Sequence, residues 1–147
     1  MKAFTFRFEK VLQLRKFHEE EAKAELGRAI GVLSDLESKI YVLAQERARA
    51  HAAQLNPANS TGEMQQYMFY LLRLDSLKEH FLKEAAMAEM KVEEARETFL
   101  EASRERKIMD KLKDKRQFEY NKNAQITESK ELDEISASTQ IRLGKSA

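Results

Sequence analysis

The sequence predicts an all-α fold in which two long helices fold back on one another as an antiparallel coiled-coil hairpin. Three observations support this prediction. Apolar residues recur at alternating steps of three and four along most of the chain, the spacing that keeps one side of a helix against a partner helix as both supercoil. Pro57, the only proline in 147 residues, interrupts the pattern once. Charged residues make up 35% of the chain, against about 25% in an ordinary domain, which is typical of long, exposed helices.

The first apolar seam predicts helix one over about residues 5–54. Gly27 and Gly31 lie four residues apart inside this helix, where each costs about 1 kcal/mol relative to alanine. They either allow another backbone to approach closely or are weak points that a long helix tolerates. Ten of the 13 seam positions are apolar, and the seam consists of Phe8, Leu12, Arg15, Glu19, Ala22, Leu26, Ala29, Leu33, Leu36, Ile40, Leu43, Arg47 and Ala50.

A break in the pattern over residues 55–61 predicts the connection between the helices. Pro57 disfavours a helical conformation at the residue before it and cannot continue a helix itself. Ser60 and Glu63 have the spacing of a capping box, which predicts the start of a new helix near residue 62. Helix two is predicted over about 62–125, and weaker apolar spacing predicts a frayed or disordered tail over about 126–147.

The second seam is predicted to lie antiparallel to the first, because the connection is short. A turn centred near residue 58 or 59 places Phe8 opposite Met109 and leaves the residues after about 110 without a partner in this chain. The stretch 104–122 holds eight basic and four acidic residues, and basic side chains at its seam positions would suit an exposed helix. Twelve of the 16 seam positions are apolar, and the seam consists of Tyr67, Leu71, Leu74, Lys78, Phe81, Ala85, Ala88, Val92, Ala95, Phe99, Ala102, Arg106, Met109, Lys113, Arg116 and Tyr120.

The sequence contains no pattern that predicts catalysis, a cofactor or a metal site. It lacks the glycine-rich nucleotide-binding motifs, the nucleophile elbow and HExxH. Its three histidines are isolated, and its many carboxylates lack the spacing of a di-iron site and are explained by solvated helix faces. The chain has no cysteine, which excludes disulfides and fits a reducing compartment. We therefore expect a non-enzymatic protein whose function lies in what it binds.

The start of the chain and its hydropathy favour a soluble cytoplasmic protein. The N-terminal residues lack the apolar core of a signal peptide, and no apolar run approaches the ~20 residues that span a bilayer. The net charge of +1 does not favour nucleic acid or an anionic membrane over the whole chain. The basic stretch 104–122 leaves a nucleic-acid-binding module as one alternative, although a protein partner is the preferred interpretation.

Apolar side chains outside the seams indicate binding surfaces. Tyr41 on helix one and Phe69, Tyr70 and Leu77 on helix two lie off the stripe that a two-helix seam buries. They either flank a broad seam or form an exposed patch for a partner. A second apolar and basic cluster opens the chain within residues 2–16, and docking into another protein is preferred there over a membrane surface.

The ten residues from Phe6 to Arg15, FRFEKVLQLR, resemble the start of the FliJ family, in which a phenylalanine-rich pattern ending in Val-Leu-x-x-Arg opens the first helix. The length, the lack of cysteine and the polar tail are also similar to that family. The resemblance implies a component of the bacterial flagellar type III export apparatus, similar to the central stalk of rotary ATPases. It also implies binding to the hexameric export ATPase and to the export gate protein FlhA, with escort of export chaperones. It places the protein at the inner face of the cell membrane through protein partners only.

These surfaces and the resemblance together predict two partner contacts. The partnerless end is predicted to contact the ATPase ring through Phe4, Phe6, Arg7, Val11, Arg104, Lys107, Lys111, Lys115 and Arg116. The apolar residues nearer the connection are predicted to contact the export gate through Tyr41, Phe69, Tyr70 and Leu77. The main alternative is a general structural coiled-coil spacer, which predicts self-association and no binding to a ring ATPase.

Overall fold

This computed structural model describes residues 2–145, which form two long α-helices, the turn that joins them and a short non-helical segment before the first helix. α1 spans Glu9–Gln54 and α2 spans Thr61–Lys145, and no strand occurs among the described residues. The helices pack against each other in antiparallel directions, which confirms the predicted fold class. The chain divides into two compact units, the hairpin unit (Glu19–Ala102) and the terminal unit (Met1–His18 with Ser103–Ala147).

The turn of the hairpin unit is closed by side-chain caps at both helix ends. The Ser60 hydroxyl accepts a hydrogen bond from the Glu63 amide at 3.2 Å, and the Glu63 carboxylate accepts one from the Ser60 amide at 3.2 Å. This reciprocal pair satisfies two amides that the first turn of a helix leaves unpaired, and it confirms the predicted capping box. At the end of α1, the Asn59 amide donates to the carbonyls of Ala53 and Gln54 at 2.8 and 3.2 Å. The connection is therefore folded against the end of α1.

The core of the hairpin unit is the predicted pair of seams. One cluster joins Leu36 of α1 to Ala85 and Ala88 of α2, and a second joins Ala50 to Leu71 and Leu74. In each cluster alanine on one helix faces leucine on the other, so the two backbones approach closely while the side chains interdigitate. The α2 seam positions Val92 and Ala95 are buried as well. The three-and-four spacing thus correctly predicted which side of each helix is buried.

The register of the hairpin unit differs from the predicted one by about one helical turn. The prediction placed Leu36 opposite residue 81, whereas it packs between Ala85 and Ala88. The Arg47 guanidinium likewise pairs with the Asp75 carboxylate at 2.6 Å, five residues beyond the predicted position. The reason lies at the turn, where residues 61–66 of α2 are all exposed. The first helical turn of α2 is therefore part of the chain reversal and contributes nothing to the seam.

In the terminal unit the chain packs further along α2 than predicted. Helix α1 begins at Glu9 rather than near residue 5, and the preceding N-terminal strap (residues 2–8) is not helical. The Tyr120 hydroxyl donates a hydrogen bond to the backbone carbonyl of Lys2, and its ring lies 5.6 Å from that of Phe4. Lys113 pairs with Glu9 at 2.9 Å. The expectation that residues after about 110 lack a partner is therefore wrong, because the shifted register and the strap reach as far as Tyr120.

The last part of α2 is helical where a frayed or disordered tail was predicted. The helix continues to Lys145, about twenty residues beyond the predicted end near residue 125. Every side chain over 125–145 is exposed. No proline interrupts this stretch, and its first glycine is Gly144, so nothing in the sequence stops the helix earlier. The final two residues of the predicted tail lie outside the described residues.

Candidate partner-binding surfaces

The outer side of α2 in the terminal unit carries an exposed basic face. The predicted ring contacts Arg104, Lys107, Lys111 and Lys115 are all exposed there and recur at steps of three and four along one side of the helix. Arg116 is exposed as well, but it lies 3.6 Å from the Glu119 carboxylate, which offsets part of its charge. The structure thus brings the predicted basic residues together on one helix.

Two aromatic residues that were predicted to contact the ATPase ring, Phe4 and Phe6, pack within the chain. Phe6 is buried within the chain, so the structure does not expose its ring for the predicted contact. Phe4 is half-buried against Tyr120. Residues 3–8 and α2 residues 116–123 line a groove of about 570 Å³. Sequence spacing missed this arrangement because the strap is not helical, so helical periodicity does not apply to it.

The predicted contacts Arg7 and Val11 remain available. The Arg7 guanidinium lies 5.6 Å above the Phe8 ring, a cation–π geometry that leaves its outer edge in solvent. Val11 is 37% exposed on the first turns of α1. Both residues therefore stay candidates for contact with a partner.

The basic seam positions of α2 have partners within the terminal unit. Lys113 donates to Glu9, and this hydrogen bond lowers the pKa of the Glu9 carboxyl below its ordinary value. Arg106 pairs with Asp110 at 2.5 Å, and Arg15 of α1 pairs with Glu105. Each of these basic side chains pairs with an acidic side chain, either on the same helix or on the other one. The prediction that they solvate an unpaired helix is wrong.

The predicted gate contacts of the hairpin unit are all exposed. Phe69 is 60% exposed on α2, and Leu77 is partly exposed on the same helix. The Tyr70 hydroxyl donates to the Glu46 carboxylate at 3.0 Å, and this bond to a negative group raises the pKa of Tyr70. Tyr70 therefore bridges α1 and α2 at the edge of the seam while one side of its ring faces solvent.

Tyr41 lies on a different side of the hairpin unit from Tyr70. On α1, Tyr41 and Glu46 are five residues apart, which separates their side chains by about 140° around the helix axis. Because Glu46 holds Tyr70, Tyr41 points away from it. Tyr41 is 64% exposed, and its hydroxyl accepts a hydrogen bond from Gln45 of the same helix at 3.1 Å. The structure does not bring the four predicted gate residues onto one face.

Comparison with known proteins identifies the family. A family model described as the flagellar FliJ protein matches residues 4–145. The chain belongs to the FliJ family. The flagellar FliJ protein of Bacillus subtilis (strain 168) is 24% identical to it over 141 residues, which cover 91% of this chain and 93% of that protein. No solved structure matches the chain. Membership confirms the resemblance at Phe6–Arg15 and supports a role related to flagellar export.

One apolar surface of this FliJ-family chain extends beyond the predicted residues. Met68 and Leu72 are 49% and 59% exposed, and they lie one residue before and three residues after Phe69 on α2. Residues three and four apart are neighbours on a helix surface, so these three side chains form one patch. The spacing was visible in the sequence, but sequence alone did not show which off-seam positions the partner helix leaves uncovered.

Two classes of site have no counterpart in the part of this FliJ-family chain that the structure describes. Within residues 2–145, histidine, aspartate and glutamate side chains nowhere gather in threes as a metal site would need. Neither α1 nor α2, as described, has a segment long and apolar enough to cross a membrane. The candidate surfaces are therefore the basic face of the terminal unit and the apolar patch of the hairpin unit.

Proposed function

We propose that this chain is a non-enzymatic stalk and adaptor of the bacterial flagellar type III protein export apparatus. Its terminal unit contacts the hexameric export ATPase, and its hairpin unit contacts the export gate protein FlhA. Escort of export chaperones is part of the same role. The protein acts in the cytoplasm, at the inner face of the cell membrane, and reaches that position through its protein partners.

The observation that supports the proposal is that each of the two units has an exposed surface of a different kind. The terminal unit offers Arg104, Lys107, Lys111 and Lys115 on an exposed basic face. The hairpin unit offers an exposed apolar patch around Phe69. A charged face suits a partner reached through electrostatic attraction, whereas an aromatic and aliphatic patch suits a partner that buries it. An adaptor needs two such surfaces that do not overlap.

The basic face acts on the ATPase through differential binding. A helix in contact with a ring shifts the populations of the subunit conformations when it binds one conformation more tightly than another. The chain supplies no catalytic group in this mechanism, and the ATPase performs all the chemistry. Stimulation of ATP hydrolysis by the purified chain is the resulting observable.

The test of this role is a charge reversal on the basic face. Changing Lys111, Lys115 and Arg116 to Glu is expected to lower stimulation of the export ATPase at least tenfold, while circular dichroism stays unchanged because all three side chains are exposed. The matched control changes three exposed lysines elsewhere, Lys23, Lys78 and Lys130, to Glu and is expected to retain stimulation. Full stimulation by the first variant would overturn the assignment of the basic face.

The gate contact is tested by binding to the cytoplasmic part of FlhA. Changing Phe69 to Ala is expected to weaken binding about tenfold, which corresponds to about 1.4 kcal/mol and is typical of an aromatic anchor in an interface. Changing Tyr41 to Ala, on the other side of the hairpin unit, shows whether that face takes part. Unchanged affinity of the Phe69 variant would remove the patch from the proposal.

A further inference from the structure

The outer side of α2 carries a stripe of exposed residues that changes charge along its length. In the hairpin unit the stripe consists of Lys83, Met87, Met90, Glu94, Glu97 and Glu101, here called the acidic segment. In the terminal unit it consists of Arg104, Ile108, Lys111, Lys115, Phe118 and Lys122, here called the basic segment. Both segments have alternating steps of three and four, the same spacing as the buried seam.

The rest of the described chain leaves the side chains of both segments uncovered. All twelve residues are exposed, and Met87, Met90, Ile108 and Phe118 are among its most exposed large apolar side chains, at 62%, 66%, 65% and 68%. Within residues 2–145, the acidic residues Glu94, Glu97 and Glu101 form no ion pair, and neither do the basic residues Arg104, Lys111 and Lys115. Ion pairs do form beside the stripe, for example between Arg96 and Glu93 at 2.6 Å.

The two segments are complementary when they run antiparallel. Glu101 then faces Arg104, and Glu94 faces Lys111. Met87 faces Phe118, a sulfur–aromatic contact that adds to apolar burial. In the same alignment Glu97 faces Ile108, the aliphatic stem of Lys115 covers Met90, and Lys83 faces Lys122 at the end of the contact. The match needs no change of side-chain spacing, because both segments repeat at the same steps.

We propose that the acidic segment of one copy of this chain docks antiparallel on the basic segment of a second copy. The occupant is a second copy because the two segments share one spacing and three of their six facing pairs match: Glu101 with Arg104, Glu94 with Lys111 and Met87 with Phe118. The contact is a helix-on-helix seam in which opposite charges meet at two positions and apolar side chains meet at a third. It is favoured at low ionic strength, because salt screens exposed charge pairs.

The test is sedimentation velocity of the purified full chain over a range of concentrations at about 50 mM and 500 mM salt, between which the Debye length falls severalfold. At low salt the average mass is expected to rise with concentration above that of the 17.1 kDa monomer, and at high salt it returns to the monomer. A monomer at every concentration in low salt overturns the proposal. Self-association that is unaffected by salt also overturns it.

Charge reversal identifies the contact. One variant changes Glu94, Glu97 and Glu101 to Lys, and the other changes Arg104, Lys111 and Lys115 to Glu. Each is expected to be monomeric alone at low salt, because its stripe then carries one sign of charge. An equal mixture of the two is expected to associate again, because each basic stripe meets an acidic one. A mixture that stays monomeric overturns the assigned contact.

A matched control separates this contact from a general effect of charge. Changing Glu128, Glu131 and Glu134 to Lys alters the net charge by the same amount on exposed positions of α2 outside both segments. This variant is expected to self-associate like the unchanged protein, and a monomeric control overturns the assignment. The acidic segment contains no proposed ring contact, and its variant leaves the basic segment uncovered, so this variant is expected to keep ATPase stimulation.

Discussion

Gly27 and Gly31 are the simplest residues to explain once their surroundings are known. Both lie on the exposed side of α1, and a β-carbon added at either position would meet no atom of the chain within 4 Å. Neither has a positive φ, so the backbone conformation does not require glycine. Within the described chain they are weak points of a helix, because glycine has more conformational freedom to lose on folding.

Changing Gly27 or Gly31 to Ala is expected to raise the free energy of unfolding by about 1 kcal/mol each. The gain comes from the lower conformational entropy of the unfolded chain, and no folded contact changes. Urea denaturation followed by circular dichroism measures it. A loss of stability in either variant would show that the glycine backbone is closely approached in the folded protein.

The Arg47–Asp75 pair gives the hairpin unit a defined acid sensitivity. The hydrogen bond from Arg47 holds the pKa of Asp75 below its ordinary value of 3.8. A carboxyl whose folded pKa is lowered stabilises the protein above its ordinary pKa, and this stabilisation is lost as the pH falls through the lowered value.

Changing Asp75 to Asn is therefore expected to lower stability at pH 7 and to have progressively less effect as the pH falls below 3.8. Urea denaturation of both proteins between pH 7 and pH 2.5 measures the difference. As a control, Asp114 is exposed and forms no ion pair in the described chain, so changing it to Asn should give no such trend. If the Asp75 variant and the unchanged protein differed in stability by the same amount at every pH, the Arg47–Asp75 pair would be excluded as the cause.

Among the structural elements, the last part of α2 and the N-terminal strap differ in how closely they pack against the rest of the chain. The strap is short, yet it buries Phe6 and holds Tyr120. The segment 125–145 is long and regular, yet all its side chains are exposed. Helical regularity there reflects local hydrogen bonds and propensity, which contribute little stability without packing.

Truncation after Gln125 is accordingly expected to change the free energy of unfolding by less than about 0.5 kcal/mol, as do most changes at exposed positions. Changing Phe6 to Ala is expected to cost about 3 kcal/mol, as is usual for a buried phenylalanine. Urea denaturation compares the two. A large loss on truncation would mean that residues 126–145 pack against something in the protein in solution.

The elements also show what the sequence could and could not predict. The buried stripe of each helix, the capping box at Ser60 and the end of α1 at Gln54 were all correctly predicted, because each depends on local spacing or local hydrogen bonds. The register of the two helices was not correctly predicted, because it depends on how many residues the turn contains. The burial of Phe6 was not correctly predicted either, because a non-helical strap has no helical periodicity from which to infer burial.

Of the residues predicted to contact partners, the basic ones are exposed in the structure and Phe6 is buried. The structure also places Tyr41 away from Tyr70. Whether a residue is exposed depends on which positions the other helix covers. Those positions follow from the register, which the sequence did not predict correctly. The contacts with the ATPase and the export gate stay predictions.

Over the whole molecule, a net charge of +1 conceals an uneven distribution. The hairpin unit has ten basic and sixteen acidic side chains, a net charge of −6, and the terminal unit has sixteen basic and nine acidic, a net charge of +7. Within the hairpin unit, residues 19–37 of α1 and 84–101 of α2 each carry six acidic and two basic residues. These two stretches pack against one another, so their charges repel.

Salt is therefore expected to stabilise the fold at protein concentrations low enough to prevent self-association. Raising sodium chloride from about 20 mM to 500 mM shortens the Debye length and should raise Tm by about 3 °C, which corresponds to about 1 kcal/mol. Thermal melts followed by circular dichroism test this. A fall in Tm with salt would mean that attractive ion pairs outweigh the repulsion.

The hydrogen bond between Tyr120 and the Lys2 carbonyl has a practical consequence for anyone labelling this protein. A fluorophore or affinity tag fused ahead of the first residue would begin two positions from a carbonyl that is already engaged, and it would crowd the aromatic pair of Phe4 and Tyr120. A fusion at the other end follows some twenty residues whose side chains are all exposed. Probes intended to leave the molecule undisturbed belong at the carboxyl terminus.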